Sequence, residues 1–393
     1  MSAVNGKKAT PRPGATKAAG QPAARKRKRD RPTMADIAAR IGVHPTTVSL
    51  ALRSHPSIPL ATRKRVLAAS AEIGYVRNPL LDAFNFHRLN KRATKDGTTI
   101  AFVVDANTSP YFFGQAFHPL VYAGARAAAE AHHHSIEVFQ VGEQDLSPKR
   151  LNTIIHSRGI TGVLLSTFTL QTQALELDLN ELAAVKIESH HLCPHIDVVT
   201  NDQCQAARLA VRRLRALGYR RIGLATARDD ESRLDDNFAT GVIVEQAEMP
   251  ESECVPPLHF ERTSLPEIGA KVEAWVKANA VDVLITNWKE FLGEPHNAQE
   301  GSWTIPCTSL RVGEDIAFAS LDVPVNRPDV AGIVQNHRLV GMRAMEQLSV
   351  LVRTFHRGPP EAPSATYVPG FWKDGTTIKT KVRSSHHPFA LTA

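Results

Sequence analysis

The chain has 393 residues, 42% hydrophobic and 22% charged, a balance that fits more than one folded domain, each burying its own core. No apolar run approaches the roughly 18 residues of a membrane helix, no apolar segment follows the basic start to make a secretory signal, and the four cysteines form no CxxC pair, so a membrane protein, a secreted protein and a disulfide scaffold are all disfavoured and a cytoplasmic location is expected. The formal charge of +8 is unevenly spread: residues 1–31 hold ten Lys/Arg against one acid, residues 32–96 ten against four, and the remainder is acidic by seven charges. A basic head on an acidic body points to a polyanion partner for the head alone.

Residues 1–31, rich in Ala, Pro, Gly and Lys/Arg without apolar periodicity, predict a disordered basic tail. Its cluster Arg25–Arg29 either is solvated or follows DNA phosphates. Residues 32–78 predict three helices. Thr33 and Asp36 resemble a capping box, Ile37 and Ile41 repeat at helical spacing, and Gly42 ends the first helix. Pro45 suits the first position of the second helix, where its missing N–H costs nothing, with Val48, Ala51 and Leu52 inward. A third helix, about Leu60 to Ile73, is expected to bury Val66, Leu67, Ala69 and Ile73 and to stop at Gly74. Two short helices around a glycine turn, braced by a third, have helix-turn-helix geometry.

Residues 79–96 read as a hinge helix and linker, and residues 97–393 as a two-lobed body. In the body, "TTIAFVVD", "SIEVFQV", "GVLLST", "AAVKIES" and "DVVTN" read as one set of buried strands, and "RIGLAT", "VDVLITN" and "IAFASLD" as a second. Their alternation with helical segments predicts parallel sheets wrapped by helices. No nucleophile elbow, phosphate loop, GxGxxG or HExxH occurs, so no catalytic residue, cofactor or metal is expected. The cluster His190, His191, Cys193 and His195 reads as loop packing or ligand contact, with a soft-metal or redox site as the sharper alternative.

The stretch from Pro32 to Asn78 carries Thr-x-x-Asp-Ile-Ala, Gly-Val-x-x-x-Thr-Val-Ser, Thr-Arg-x-x-Val and Gly-Tyr-x-x-Asn, in order and without gaps. It resembles the headpiece of the lactose-repressor/galactose-repressor family, and weaker likeness continues through "RGITGVLLS", "AGIVQNHRLVGMRAMEQL" and "GFWKDGTTI". The resemblance implies an all-α helix-turn-helix headpiece on a periplasmic-binding-protein-like α/β body with parallel sheets. By position, His44, Pro45, Thr46 and Leu50 would face bases in the major groove. Leu50, where the family often has Arg, either contacts a base or packs against the third helix. Thr33, Thr47, Ser49, Ser57 and Thr62 would touch phosphates or cap helices, with Arg53, Arg63, Lys64 and Arg65 supplying charge. After Asn78, Leu81 and Phe84 would be the apolar wedge of a hinge helix entering the minor groove.

In the body, the same resemblance places Tyr111, Phe112, Arg233, Asn287 and Trp288 at an effector cleft. The expected protein is a transcription regulator, in the sense of a repressor, that binds a pseudo-palindromic double-stranded operator as a homodimer. A small molecule between the lobes, with saccharides among the candidates, would modulate its affinity. The competing reading is a solute-binding or sugar-metabolising protein without specific DNA binding.

Overall fold

A computed structural model of the chain describes residues 32–52, 57–75, 98–106, 118–142, 146–294 and 302–381. The basic tail, the hinge segment 79–96, and Arg53, Asn78, Leu81, Phe84, Tyr111 and Phe112 lie outside the described residues. The chain divides into two units, Met1–Asn78 and Pro79–Ala393.

The first unit holds α1 (Met34–Ile41), α2 (Pro45–Leu52) and α3 (Leu60–Glu72). At the start of α1 the Asp36 carboxylate accepts from the backbone N–H and the Oγ1 of Thr33, both at 2.7 Å, and Gly42 closes the helix at φ 68°. That positive φ suits glycine, which has no Cβ to clash. Ile37, Ala38, Val48, Ala51, Val66 and Ala69 form the buried core, with Leu52, Ile58, Ile73 and Tyr75 packed around it. A core this small leaves little margin, since each fully buried aliphatic side chain contributes roughly 1.5–3 kcal/mol. One expectation is corrected here. Leu67 is 55% exposed, as is its neighbour seven residues back, Leu60, at 72%. The inward stripe of α3 runs through Val66, Ala69 and Ser70, and a residue one position off that stripe is rotated by about 100°.

The second unit contains two six-stranded sheets. In the first, β1 (Thr98–Asp105), β2 (His134–Val141), β3 (Gly162–Leu165), β4 (Ala183–Ile187), β5 (Val198–Asn201) and β11 (Ala365–Val368) lie in the order β11-β5-β4-β3-β1-β2, all parallel. In the second, β6 (Ile222–Ala227), β7 (Leu258–Phe260), β8 (Val283–Thr286), β9 (Ala317–Ser320), β10 (Ala331–Val334) and β12 (Phe371–Lys373) lie in the order β12-β10-β9-β8-β6-β7, parallel except for the edge strand β12. The sequence reading missed β7, β10, β11 and β12, each of four residues or fewer.

Burial on both faces explains why the strands read as continuous apolar runs. Along β1, Ile100, Phe102 and Val104 enter one core and Ala101 and Val103 the opposite one. The first lobe is covered by α4 (Pro119–Ala131), α5 (Pro148–Arg158) and α10 (His337–Thr354), the second by α6 (Gln203–Ala216), α7 (Arg228–Arg233), α8 (Asn237–Gln246) and α9 (Leu265–Ala278). The chain crosses between lobes three times, at Asn201–Gln203, Val334–His337 and Val368–Phe371. The first and third crossings are tied by the Asp202 N–H to Val368 O at 2.9 Å, and the second and third by Asn336 Nδ2 to Pro369 O. Function therefore concentrates where strands of both sheets end beside these crossings.

Candidate functional site

Two surfaces carry chemistry, one in each unit. In the headpiece, the first turn of α2 presents His44, Pro45 and Thr46 to solvent. Pro45 opens the helix, and His44 precedes it as a cap: its Nδ1 accepts the Thr46 N–H at 3.3 Å and pairs with Thr46 Oγ1 at 2.9 Å. The two side chains expected to read bases are thus held against each other. Leu50 is half-buried, yet it is not among the apolar side chains packed on the headpiece core. Thr47 and Ser49 on α2 and Thr62 on α3 are half-buried, Ser57 is exposed, and Thr33 caps α1. Two of the basic residues have structural partners: Arg63 Nε donates to Ile58 O at 2.8 Å and Arg65 Nη2 to Ile41 O at 2.9 Å. Lys64 is exposed.

In the body, a cleft of about 740 Å³ opens between the lobes. Arg233, Asn287 and Trp288 line it. Arg233 at the end of α7 donates to the Glu188 carbonyl of the first lobe at 3.1 Å and lies 3.6 Å from Asp230. Arg262 reaches Asp229 at 2.6 Å and Asp230 at 2.7 Å. Asn287 accepts from Thr226 Oγ1 at 2.9 Å and donates to Asp230 at 3.3 Å. Trp288 is mostly core, packed on Phe260 and Phe291 with ring centroids 4.7 and 4.9 Å away. The second lobe's lip is therefore a cross-linked set of charges rather than a row of loose cations.

Residues that sequence reading did not single out complete the cleft. At the crossings stand Asn201, Gln335 and His337, joined by Glu188, Asp322 and His118. His337 Nε2 lies 3.0 Å from Asp322 Oδ1, and its ring stacks on His118 with centroids 4.0 Å apart. Burial opposes charge on His337, but the Asp322 carboxylate outweighs it and lifts the ring to about 9. Burial lowers His118, and the neighbouring His337 charge adds to this, bringing it to about 4. One imidazolium against one neutral ring makes the stack favourable. Asn201 Oδ1, Gln335 Oε1 and Trp288 Nε1 are buried without a hydrogen-bond partner, groups that a bound molecule would satisfy. The signal for these residues was their place after strand ends, but β10 was not recognised and His118 stands well beyond the end of β1 in sequence.

The cluster His190, His191, Cys193 and His195 does not converge on one point. His190 faces Asp235 at 3.3 Å, His191 approaches the Thr169 carbonyl at 3.2 Å, and only Cys193 and His195 meet, at 3.8 Å. Beneath them Lys186 is buried, donating to the carbonyls of Leu192 and His190, and desolvation lowers its pKa. This is a loop fastened by polar groups on either side of it, Asp235, Thr169 and Lys186.

The geometry can now be set beside known proteins. Residues 33–78 match the model of bacterial regulatory proteins of the lacI family, and residues 97–244 match that of periplasmic binding proteins and the sugar binding domain of the LacI family. Both matches are to models of the LacI family. Among the LacI-type relatives is the HTH-type transcriptional regulator MalR of Streptococcus pneumoniae, 25% identical over 175 residues, which are 44% of this chain and 50% of that protein. The chain thus spans about half the length of the curated relatives it matches. Two solved structures share the fold over most of the chain. The lac repressor dimer bound to operator and an anti-inducer has a TM-score of 0.51 at 18% identity, covering 89% of this chain and all of that one. The transcriptional regulator CelR in complex with cellobiose has a TM-score of 0.50 at 19% identity, covering 88% and 100%. No helix among the described residues is long and apolar enough to cross a membrane.

Proposed function

We propose that this protein is a sequence-specific transcription regulator of the LacI family, a repressor, whose operator affinity is set by a small molecule held in the cleft of the body. The observation that carries this reading is the pairing of two sites on one chain. One is a short helix whose polar first turn stands clear of its core, with His44, Pro45 and Thr46 exposed. The other is a cleft of about 740 Å³ with unpartnered buried polar atoms on its floor, at the crossings between lobes. A ligand that bridges both lips changes the free energy of the lobes' arrangement, which is what coupling to a distant site requires.

One recognition helix reads too few bases to find a site in a genome, so the protein acts as a homodimer on a pseudo-palindrome. The mixture of aromatic, amide and charged groups in the cleft suits a polar molecule of several hydrogen-bonding groups, saccharides included. The partners are thus double-stranded DNA, an effector and a second copy of the chain, in the bacterial cytoplasm and on its nucleoid.

The test is selection of bound sites from random DNA with the full-length protein, followed by gel shifts with and without a panel of small metabolites. Inverted repeats, and at least one compound that changes their affinity, are expected. A best ligand with a single unrepeated half-site would overturn the dimeric operator. Retention of DNA at low salt only, with no sequence preference, would favour the solute-binding alternative.

A further inference from the structure

At the back of the cleft, beside the second crossing, one donor atom from each of His118, Asp322 and His337 lies within 4.8 Å of the other two. The three come from separate parts of the fold. His118 precedes α4 on the first lobe, Asp322 follows β9 on the second, and His337 opens α10 as the chain crosses back. We propose that these residues bind a divalent transition-metal ion of the zinc class, held by two imidazoles and one carboxylate across the junction of the lobes. Imidazole and carboxylate donors suit zinc, cobalt and nickel, and three protein ligands leave a position for water or for a molecule entering the cleft.

The arrangement already resembles a site in which a proton takes the place of the metal. Asp322 Oδ1 and His337 Nε2 are 3.0 Å apart. Two metal bonds of about 2.0–2.1 Å at the tetrahedral angle span about 3.3 Å, so an ion replaces the shared proton with these two atoms parting by only about 0.3 Å. His118 must move more. Its ring is stacked on His337 with planes 28° apart, and a ligand nitrogen has to point at the ion instead. Drawing the donors toward the roughly 3.3 Å separations of a tetrahedral site turns His118 inward and gives up the 3.3 Å contact of the Leu120 N–H with its Nδ1.

A second observation concerns the far side of His337. Asn201 Nδ2 faces His337 Nδ1 at 3.2 Å and Glu188 Oε1 at 2.6 Å, while Asn201 Oδ1 is buried without a partner. A histidine that binds metal through Nε2 carries its proton on Nδ1 and needs an acceptor there. Turning the Asn201 amide over supplies that acceptor from the oxygen now unmatched, as it would for the charged ring, whose Nδ1 also carries a proton. The same turn releases the Glu188 carboxylate, whose charge both rings feel, to the same node. The hydrogen bonds given up, among them the 2.6 Å bond of Asn201 to Glu188 and the shared proton of His337 and Asp322, are replaced by three metal bonds. Because His118 and Asp322 belong to different lobes, the ion would fasten the cleft in one arrangement.

The experiment is titration of chelator-stripped, full-length protein with Co²⁺, followed by visible absorption, with Zn²⁺ as competitor. One Co²⁺ per chain, displaced by Zn²⁺, is expected, and His118→Gln and Asp322→Asn should each weaken binding at least about tenfold. Should Asp322→Asn fail to fold, His118→Gln alone decides, with metal-free melting as the control for its fold. A His132→Gln/His133→Gln variant, altering the pair of imidazoles at the end of α4, should bind as the parent does. Absence of a stoichiometric site, unchanged affinity in a folded His118→Gln, or loss only in the His132/His133 variant would each overturn the proposal. Operator binding measured on the same stripped protein reads the regulator function separately.

Discussion

The two lobes of the body are wound alike and finished differently. Reading each sheet from one edge, β2-β1-β3-β4-β5-β11 and β7-β6-β8-β9-β10-β12 place corresponding strands in corresponding positions. The closing strand is parallel in the first lobe and antiparallel in the second. The lips differ more. In the first lobe, buried Asp105 at the end of β1 accepts from Thr169 N–H at 3.0 Å, Thr169 Oγ1 at 2.8 Å and Thr172 Oγ1 at 3.4 Å. In the second, the segment after β6 carries Asp229, Asp230, Glu231 and Arg233, tied mainly by ion pairs. Equal topology fixes where a lip stands; the side chains after each strand decide whether hydrogen bonds or charges hold it.

The largest effect should come from helix packing, where the lobes also differ. A Cβ on Gly341 of α10 would sit 1.9 Å from the Val121 carbonyl oxygen, and one on Gly124 of α4 1.9 Å from that of Arg338. The two helices meet backbone to backbone, with glycine on both sides. Between α6 and α8 of the second lobe the counterpart is looser: a Cβ on Gly241 of α8 would lie 2.4 Å from the Cys204 oxygen. Gly341→Ala should therefore cost more than about 3 kcal/mol in urea unfolding, despite the ~1 kcal/mol that alanine gains within a helix. Gly241→Ala should cost about half as much. Equal costs would mean that α4 and α10 can part as easily as α6 and α8.

A smaller effect separates the lips. Asp230 gathers Arg262, Asn287 and Arg233, so Asp230→Ala leaves Arg262 on Asp229 and takes the carboxylate from beside Arg233, which keeps the Glu188 carbonyl. A loss of about 2 kcal/mol is expected at low salt, shrinking in high salt as the remaining charges are screened. Asp105→Ala should cost a similar amount, since it strands half-buried hydroxyl and amide donors, but its loss should not depend on salt. Matching salt dependences would erase the distinction between the lips.

Much of this was legible in the sequence because local signals and tertiary packing agree. Thr33 and Asp36 cap α1, Gly42 ends it, and Pro45 starts α2, each for a reason contained within a few residues. The long strands were legible as apolar runs. Leu67 was not, since hydrophobicity alone cannot say which of two adjacent apolar residues faces the core. The back of the cleft was illegible for another reason. Asn201 and His337 stand at crossings and Asp322 follows β9, where position depends on the pairing of β5, β9 and β10 rather than on any local pattern. Among the expected cleft residues, Arg233, Asn287 and Trp288 line the cleft, yet their partners across the lips could be read only from the fold.

A last effect, of the same size but confined to one end of the pH range, tests the contrast at one buried acid. Glu231 of α7 has no exposed surface, and its Oε1 lacks a partner while Oε2 has only the Ala239 N–H at 3.4 Å. Asp105, equally buried on the first lobe, is met by three donors. Burial pushes the Glu231 carboxyl from 4.5 up to about 7. Between these two values the folded protein holds a proton that the unfolded chain has released, so stability falls as pH rises through that window and stays lower above it. The shift corresponds to roughly 3 kcal/mol at pH 8, at about 1.4 kcal/mol per unit. Glu231→Gln keeps the shape and removes the titration. It should match the parent near pH 4.5 and be more stable at pH 8 by about 2 kcal/mol, the amide still lacking a full set of partners. Urea unfolding at intervals from pH 4.5 to 8.5 gives the difference directly. A gap that is constant across that range would show that Glu231 is already ionised in the folded protein, and that the second lobe satisfies its buried acid as fully as the first.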